Sequence, residues 1–97
     1  MFKPLDPILH NQLRLAIVSL LINLDSAGFN FLLENTGATR GNLSVQITKL
    51  KEAGYISVKK SFRDNYPLTT CKITTKGLKA FEDYVTGIES YIKKNDN

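Results

Sequence analysis

The residues from Thr39 to Leu50 are the ones whose types and spacing could do chemistry on another molecule. Drawn as a helix, this segment keeps Leu43, Ile47 and Leu50 on one side. The rest of its surface is small, polar or positively charged: Thr39, Arg40, Gly41, Asn42, Ser44, Val45, Thr48 and Lys49. A plain solvated helix would carry more Glu and Lys pairs, and Gly, Ser, Val and Thr are poor helix formers. This composition favours contact with a partner over simple exposure to water.

A DNA major groove is the partner that this surface fits. The groove admits one α-helix, and its base edges offer donors and acceptors of hydrogen bonds. Asn42, Ser44 and Thr48 could bond base edges or phosphates, while Val45 could touch a thymine methyl group. A small residue such as Gly41 lets the helix backbone come close, and the free N–H groups at the helix start attract phosphate. The segment therefore predicts a DNA-reading helix.

Positive charge is concentrated in the same part of the chain. Residues 39–74 carry seven Lys or Arg against two acidic residues, a net charge of +5, whereas the whole chain has +4. An uneven basic segment is expected of a protein that binds a polyanion. We expect Arg40 and Lys49 on the helix, and Lys59, Lys60 and Arg63 after it, to reach phosphates. A solvated basic surface is the alternative that charge alone leaves open.

The patterns on either side predict the elements that position this helix. Apolar residues at helical spacing predict a first helix over residues 8–24, with Asp6 as its N-cap. A short strand at residues 28–29 and a second helix over 30–35 follow. Gly37 fits the tight turn before the third helix, residues 40–53, because it tolerates a positive φ. Thr39 caps that helix and Gly54 ends it.

The second half of the chain reads as a hairpin followed by a long helix. Strands are predicted over residues 55–62 and 68–74 around a polar turn at 63–67, and Thr75 caps a last helix that ends at about Lys94. The expected fold class is α+β and mainly helical: a winged helix-turn-helix with a β-hairpin wing and a long C-terminal helix. Residues 1–97 form one domain, with the helix-turn-helix at about 30–54, the wing at 55–74 and a C-terminal dimerisation helix at 75–94.

Apolar residues beyond those needed for a small core predict a homodimer. The first helix is apolar on two sides, and the last helix repeats apolar residues at spacings close to a heptad. A monomer would rarely leave so much apolar surface in water. The residues assigned to the interface are Leu15, Val18, Ile22, Val85, Ile88, Tyr91 and Ile92. The alternative is that the first helix is central in its own fold and covered on both sides.

Several classes of protein are disfavoured by what the sequence lacks. Cys71 is the single cysteine, so no intrachain disulfide forms, and His10 has no companion at metal-ligand spacing. No nucleophile, base and orienting residue can be assembled, so we expect neither an enzyme nor a cofactor. No signal peptide or membrane span is visible, which predicts a cytoplasmic protein.

At this point a family resemblance becomes specific. Residues 39–56 resemble the recognition-helix signature of winged-helix regulators, similar to the MarR and ArsR-like groups and closest to short winged-helix DNA-binding domain proteins. Residues 73–77 resemble the family's step from wing to last helix, and residues 5–16 its first helix. The resemblance implies a sequence-specific, usually dimeric regulator with the wing on the flanking backbone. Two positions depart from it: Gln46, where relatives often have His, and Asp64 beside Arg63 at the wing tip.

Two functions of different classes remain. The first is a transcription regulator, a repressor rather than an activator, that binds double-stranded DNA at a pseudo-palindromic operator. The alternative is a winged helix that docks a protein, which should expose larger apolar groups. Val45 is the one sizeable apolar residue on the outer side of the third helix, which favours DNA. A ligand-gated sensor is compatible with either function, and its effector would lie at the dimer interface.

Overall fold

Four helices and a three-stranded antiparallel sheet make up residues 1–92, the part of the chain that the computed structural model describes. In chain order they are α1 (Gln12–Ile22), β1 (Ala27–Gly28), α2 (Phe29–Thr36), α3 (Arg40–Glu52), β2 (Ile56–Arg63), β3 (Tyr66–Ile73) and α4 (Thr75–Ile92). The strand order is β1-β3-β2. This confirms the expected α+β winged helix with its hairpin and long last helix. Lys93 and Lys94, assigned to that helix from the sequence, lie outside the described residues.

The core forms around α1, which contacts α2, α3, α4 and β3. The largest fully buried side chains come from α1, α2, α3, β3 and the turn before α1: Leu9, Ile17, Val18, Leu21, Leu32, Leu43, Leu50 and Cys71. Burying each large aliphatic side chain contributes about 1.5–3 kcal/mol. The assignment of Val18 to a dimer interface is therefore wrong, because the chain's own fold covers that side of α1. Leu15 and Ile22 are half-buried.

α1 begins four residues later than the sequence predicts. Its N-cap is Asn11, whose side chain accepts a hydrogen bond from the Arg14 N–H at 3.0 Å. Asp6 has a different role: its carboxylate accepts from the Ile8 N–H at 2.8 Å and from the Tyr55 hydroxyl. Burial, together with this bond to Asp6, raises the pKa of Tyr55 to about 12. Asp6 thus caps a turn and ties the N-terminal segment to the start of the wing.

The turn and caps around α3 are confirmed. Gly37 ends α2 with φ of 68°, and Thr39 accepts from the Asn42 N–H at 3.2 Å. After α3, Gly54 takes φ of 80°. These positions fix where α3 begins and ends.

The wing is longer than predicted, because its turn has two residues instead of five. Asp64 and Asn65 take φ of 52° and 67°, the left-handed values that let a two-residue turn join twisted strands. Pro67 therefore lies inside β3, opposite Phe62. In an antiparallel hairpin, hydrogen-bonded and non-hydrogen-bonded residue pairs alternate along the strands. The pair that closes the turn, Arg63 and Tyr66, is hydrogen-bonded, so the next pair is not, and the Pro67 nitrogen points away from β2. On that side β1 reaches only to Thr70, and no strand needs a donor from Pro67.

The junction between wing and α4 depends on Thr74 and Gly77. Thr74, not Thr75, caps α4: its hydroxyl accepts from the Gly77 N–H at 3.0 Å and donates to the Gly54 carbonyl at 2.7 Å. A Cβ on Gly77 would lie 2.1 Å from the Tyr55 carbonyl oxygen. That oxygen also accepts from the Thr74 N–H at 3.0 Å and has no freedom to move away. Only glycine fits here.

We predict that Gly77→Ala destabilises the protein by about 1–3 kcal/mol, since the new methyl group overlaps a fixed backbone oxygen. Urea unfolding followed by circular dichroism measures the change. Gly41→Ala is the matched control, because a Cβ there meets no atom within 4 Å and alanine is the better helix former. An unchanged unfolding midpoint for Gly77→Ala would contradict this account of the junction.

Candidate nucleic-acid interface

The outer face of α3 is a narrow exposed strip. Gly41, Ser44, Val45 and Thr48 are exposed, at the spacing of three and four residues that lines one side of a helix. The opposite side is buried in the core through Leu43, Gln46, Ile47 and Leu50. Val45 is half exposed and is the large apolar side chain of this strip. The strip is therefore small and mainly polar, and its backbone is accessible.

The ends of the strip carry its charge. The Arg40 guanidinium turns toward α2, where Nη2 lies 3.5 Å from Asn30 Oδ1 and Cζ lies 5.8 Å from the centre of the Phe29 ring. Arg40 therefore sits at the border with α2, and Lys49 is exposed one turn before the end of α3. Thr39 places its side chain on the backbone of α3, so it acts as a cap.

The wing carries four cations, and the three that the sequence assigns to DNA contact lie on two faces. Residues opposite each other in an antiparallel pair share a face, and successive residues alternate. Lys59 and Arg63 lie on one face of the hairpin, whereas Lys60 lies on the other, which continues into the core through Val58. All three cations are exposed. The sequence pattern grouped them without this division.

Two aromatic rings at the wing tip escaped the sequence analysis. Phe62 is 78% exposed and Tyr66 75% exposed, on opposite faces beside Arg63. They were missed because the predicted turn, residues 63–67, included Tyr66 and ended the first strand at Phe62. Recognising Asp64 and Asn65 as a two-residue turn would have placed both rings on the strands.

Arg14 and Gln46 were also missed as part of the interface. Gln46 is 9% exposed and points toward α1, so it cannot itself read a base. Arg14 Nη1 donates to Gln46 Oε1 at 2.5 Å, and Gln46 Nε2 donates to Asn42 Oδ1 at 3.0 Å. Asn42 is exposed at the edge of the strip. A half-buried arginine of α1 is thus linked by hydrogen bonds, through Gln46, to a surface residue of α3.

The residues weighed for other chemistry have structural partners. His10 Nδ1 lies 2.9 Å from the Tyr84 hydroxyl, and Cys71 is buried in the sheet, where burial raises the pKa of its thiol. Within residues 1–92, no three His, Cys, Asp or Glu side chains lie close enough to share a metal ion. The helices of that same part are all too short or too polar to span a bilayer.

Comparison with known proteins identifies this arrangement. Residues 13–92 match the model of a family described as the winged helix DNA-binding domain. The chain belongs to this family. The family resemblance drawn from the sequence is thereby confirmed, and the family is one of DNA-binding domains rather than of enzymes.

The chain is similar to one protein by sequence and to several solved structures by fold. An uncharacterized protein of Methanocaldococcus jannaschii is 38% identical over 78 residues, covering 80% of this chain and 85% of the relative. The structure of a transcriptional regulator homologue from Pyrococcus horikoshii is 28% identical, with a TM-score of 0.83 over 93% of this chain and 89% of that one. Stf76 from a Sulfolobus islandicus plasmid-virus is 25% identical, with a TM-score of 0.60 over 72% and 92%.

We predict that Gly41→Ala weakens DNA binding by roughly tenfold, equivalent to about 1.4 kcal/mol. A Cβ at this position meets nothing inside the protein, so any loss must come from a partner that approaches the α3 backbone. Fluorescence anisotropy with a duplex selected from genomic DNA measures the affinity. Equal affinity for Gly41→Ala and the parent protein would show that DNA does not approach the start of α3.

Proposed function

We propose that this protein is a transcription regulator that binds double-stranded DNA sequence-specifically, as a homodimer. The observation that carries the proposal is the exposed strip of α3, which is small and polar where a protein-docking helix would be apolar. The net charge of +5 over residues 39–74 adds attraction for phosphate. The transcriptional regulator homologue of Pyrococcus horikoshii supports the regulatory role. A cytoplasmic location, where such a regulator would meet DNA, is part of this proposal.

Repression is the mode of regulation that we propose. A repressor needs only to occupy its operator. The described surfaces that call for a partner are the α3 strip, the wing and one side of α4, and DNA and a second copy of the chain account for these.

Sequence reading and general affinity are divided between α3 and the wing. Ser44, Val45 and Thr48 lie on the strip, where a groove would bring base edges. The Thr48 hydroxyl donates to the Ser44 carbonyl at 3.1 Å, so toward DNA it offers acceptor capacity and a methyl group. Lys59 and Lys60 stand on opposite faces of the wing and would meet phosphates.

Two measurements test this division: how the DNA affinity depends on salt concentration, and how the affinities for different duplexes rank. We expect Lys60→Ala to weaken binding to all duplexes about equally and to lower the slope of log K against log salt by about 0.9, one phosphate contact. Thr48→Ala should instead change the ranking among duplexes. Lys79→Ala is the matched control, because it removes one positive charge from α4, where Lys79 pairs with Asp83 at 2.9 Å.

The outcomes are distinct. If the parent protein binds no duplex selected from genomic DNA at low salt, the proposed function is wrong. If Lys60→Ala re-ranks the duplexes and Thr48→Ala weakens them uniformly, then the wing and not α3 reads the bases.

The proposed dimer uses one side of α4. Half-buried and exposed apolar residues follow one another there at spacings of three and four, and we call them the α4 stripe: Leu78, Phe81, Val85, Ile88 and Ile92. Such spacing is that of a helix seam. Ile92 is 73% exposed, so a partner would remove much apolar surface from water. Half-buried Leu15 and Ile22 of α1 would extend the interface.

The N-terminal segment, residues 1–7, already occupies the neighbouring side of α4. The Phe2 ring stacks on Tyr91 with centroids 4.8 Å apart, the Lys3 N–H donates to Ser90 Oγ at 3.0 Å, and the Tyr91 hydroxyl donates to the Lys3 carbonyl at 3.0 Å. Tyr91 is therefore engaged within the chain, which leaves the α4 stripe as the side for a second copy. Two-fold pairing would place two α3 helices about 34 Å apart, one DNA turn, over a pseudo-palindrome.

We predict that the protein sediments as a dimer at micromolar concentration, and that Ile88→Glu and Ile92→Glu shift it toward the 10.9 kDa monomer. Each substitution puts a charge into an apolar seam, which removes about 1.5–3 kcal/mol of burial per side chain before desolvation is counted. Thr86→Glu is the matched control, since it adds the same charge to an exposed position of α4 off the stripe. A clean monomer for the parent protein would refute the dimer, and a dimer that survives both stripe variants would have another interface.

A further inference from the structure

Hydrogen bonds link Arg14 to Gln46 and Gln46 to Asn42. This network determines which atom Asn42 can offer to DNA. We infer that Asn42 turns its amide NH2 group toward DNA and so recognises a hydrogen-bond acceptor, and that Arg14 and Gln46 are the positioning residues that impose this orientation. The inference rests on the proposed function and adds a specificity determinant to it.

Half-buried Arg14 stands at the α1 end of this series of hydrogen bonds, and several bonds hold its guanidinium in place. Its Nε donates to the Ile8 carbonyl at 2.6 Å and its Nη2 to the Pro7 carbonyl at 3.4 Å. The remaining terminal nitrogen, Nη1, points at Gln46 Oε1 at 2.5 Å. The guanidinium is therefore fixed between the turn before α1 and the inner side of α3, and it has little freedom to turn away from Gln46.

Which group donates and which accepts in each of these hydrogen bonds follows from arginine, which can only donate. A guanidinium has five N–H donors and no acceptor, so the atom of Gln46 that faces it must be the oxygen. The NH2 group of Gln46 then faces Asn42, and Asn42 must meet it with its oxygen, as the 3.0 Å bond from Nε2 to Oδ1 records. Rotating either amide by half a turn would set two donors or two acceptors against each other.

Asn42 is left with one kind of group for a partner. The bond from Gln46 turns its oxygen toward the buried side of α3, and within residues 1–92 its Nδ2 donates no hydrogen bond, although the residue is exposed. Asparagine reads adenine by using oxygen and nitrogen together. The oxygen of Asn42 faces Gln46 instead, and the acceptors that suit its NH2 group are guanine N7 or O6, adenine N7, thymine O4, or a phosphate oxygen.

The substitution Gln46→Glu should reverse which group of Asn42 faces DNA. The new carboxylate still accepts from Arg14, with the opposite charge now beside the guanidinium, but it has no N–H for Asn42. Asn42 must then turn its NH2 group inward and present oxygen to DNA. For a base contact, we expect the preferred base at one operator position to change to one with a major-groove donor, cytosine or adenine, with discrimination of roughly tenfold. For a phosphate contact, we expect a similar loss on every duplex.

The double variant shows whether the effect passes through Asn42. Asn42→Ala alone removes the contact, and adding Gln46→Glu to it should change neither the base preference nor the affinity further. Selection from a randomised duplex library, followed by anisotropy titrations, compares the parent, both single variants and the double variant. Thermal melting verifies that each variant is folded.

A measurement on the parent protein covers the case in which Gln46→Glu does not fold. In a 15N-labelled sample, the Asn42 side-chain NH2 signals, assigned by their loss in Asn42→Ala, should shift when the selected duplex is added. If backbone signals of α3 shift and these do not, the inference is wrong.

The failure of this inference differs from that of the proposed function. No binding by the parent protein to any duplex defeats both. Binding by the parent with an unchanged preference and affinity in folded Gln46→Glu, or an effect of Gln46→Glu that persists without Asn42, defeats only the inferred orientation.

Discussion

The burial of the inner side of α3 against α1 is the interaction on which the proposed DNA-reading surface depends. Gly41, Ser44, Val45 and Thr48 on the outer side are poor helix formers, and a helix of this length would be marginal alone. Leu43 and Leu50 are fully buried and hold the helix through packing. The outer residues are thereby released from supporting the helix and can be chosen for what they contact.

A second group of contacts fixes the wing relative to α3. Thr74 bonds the Gly54 carbonyl at the end of α3, its own N–H bonds the Tyr55 carbonyl, and Gly77 passes directly over that carbonyl. Tyr55 in turn bonds Asp6. The N-terminal segment, the end of α3, the wing and the start of α4 therefore meet at one junction. Because the wing is anchored at its base in this way, its cations keep a set position beside the α3 strip.

The sequence was informative where a local signal determines the local structure. Thr39, Gly37 and Gly54 fixed α3 because capping and positive φ are decided by nearest neighbours. Periodicity could not say which side of α1 the rest of the fold covers, and so Val18 was assigned to the wrong partner. The orientation of Asn42 was out of reach for the same reason, since it originates at Arg14, 28 positions earlier in the chain. Pro67 misled the prediction because proline is usually absent from strands, and only the short reach of β1 permits it here.

The division of the wing cations between two faces agrees with the shape of a DNA groove. A minor groove is bounded by two sugar–phosphate walls, and a β-ribbon that enters it presents one face to each wall. Lys60 would face one wall, and Lys59 and Arg63 the other. The turn at Asp64 and Asn65 would enter the groove first. The exposed rings of Phe62 and Tyr66 flank Arg63 on the two faces, and apolar side chains are what minor-groove proteins set against sugars and base steps. In the proposed complex, a wing with all its cations on one face would leave the second wall without a counter-charge, and the alternation of the strand would avoid this.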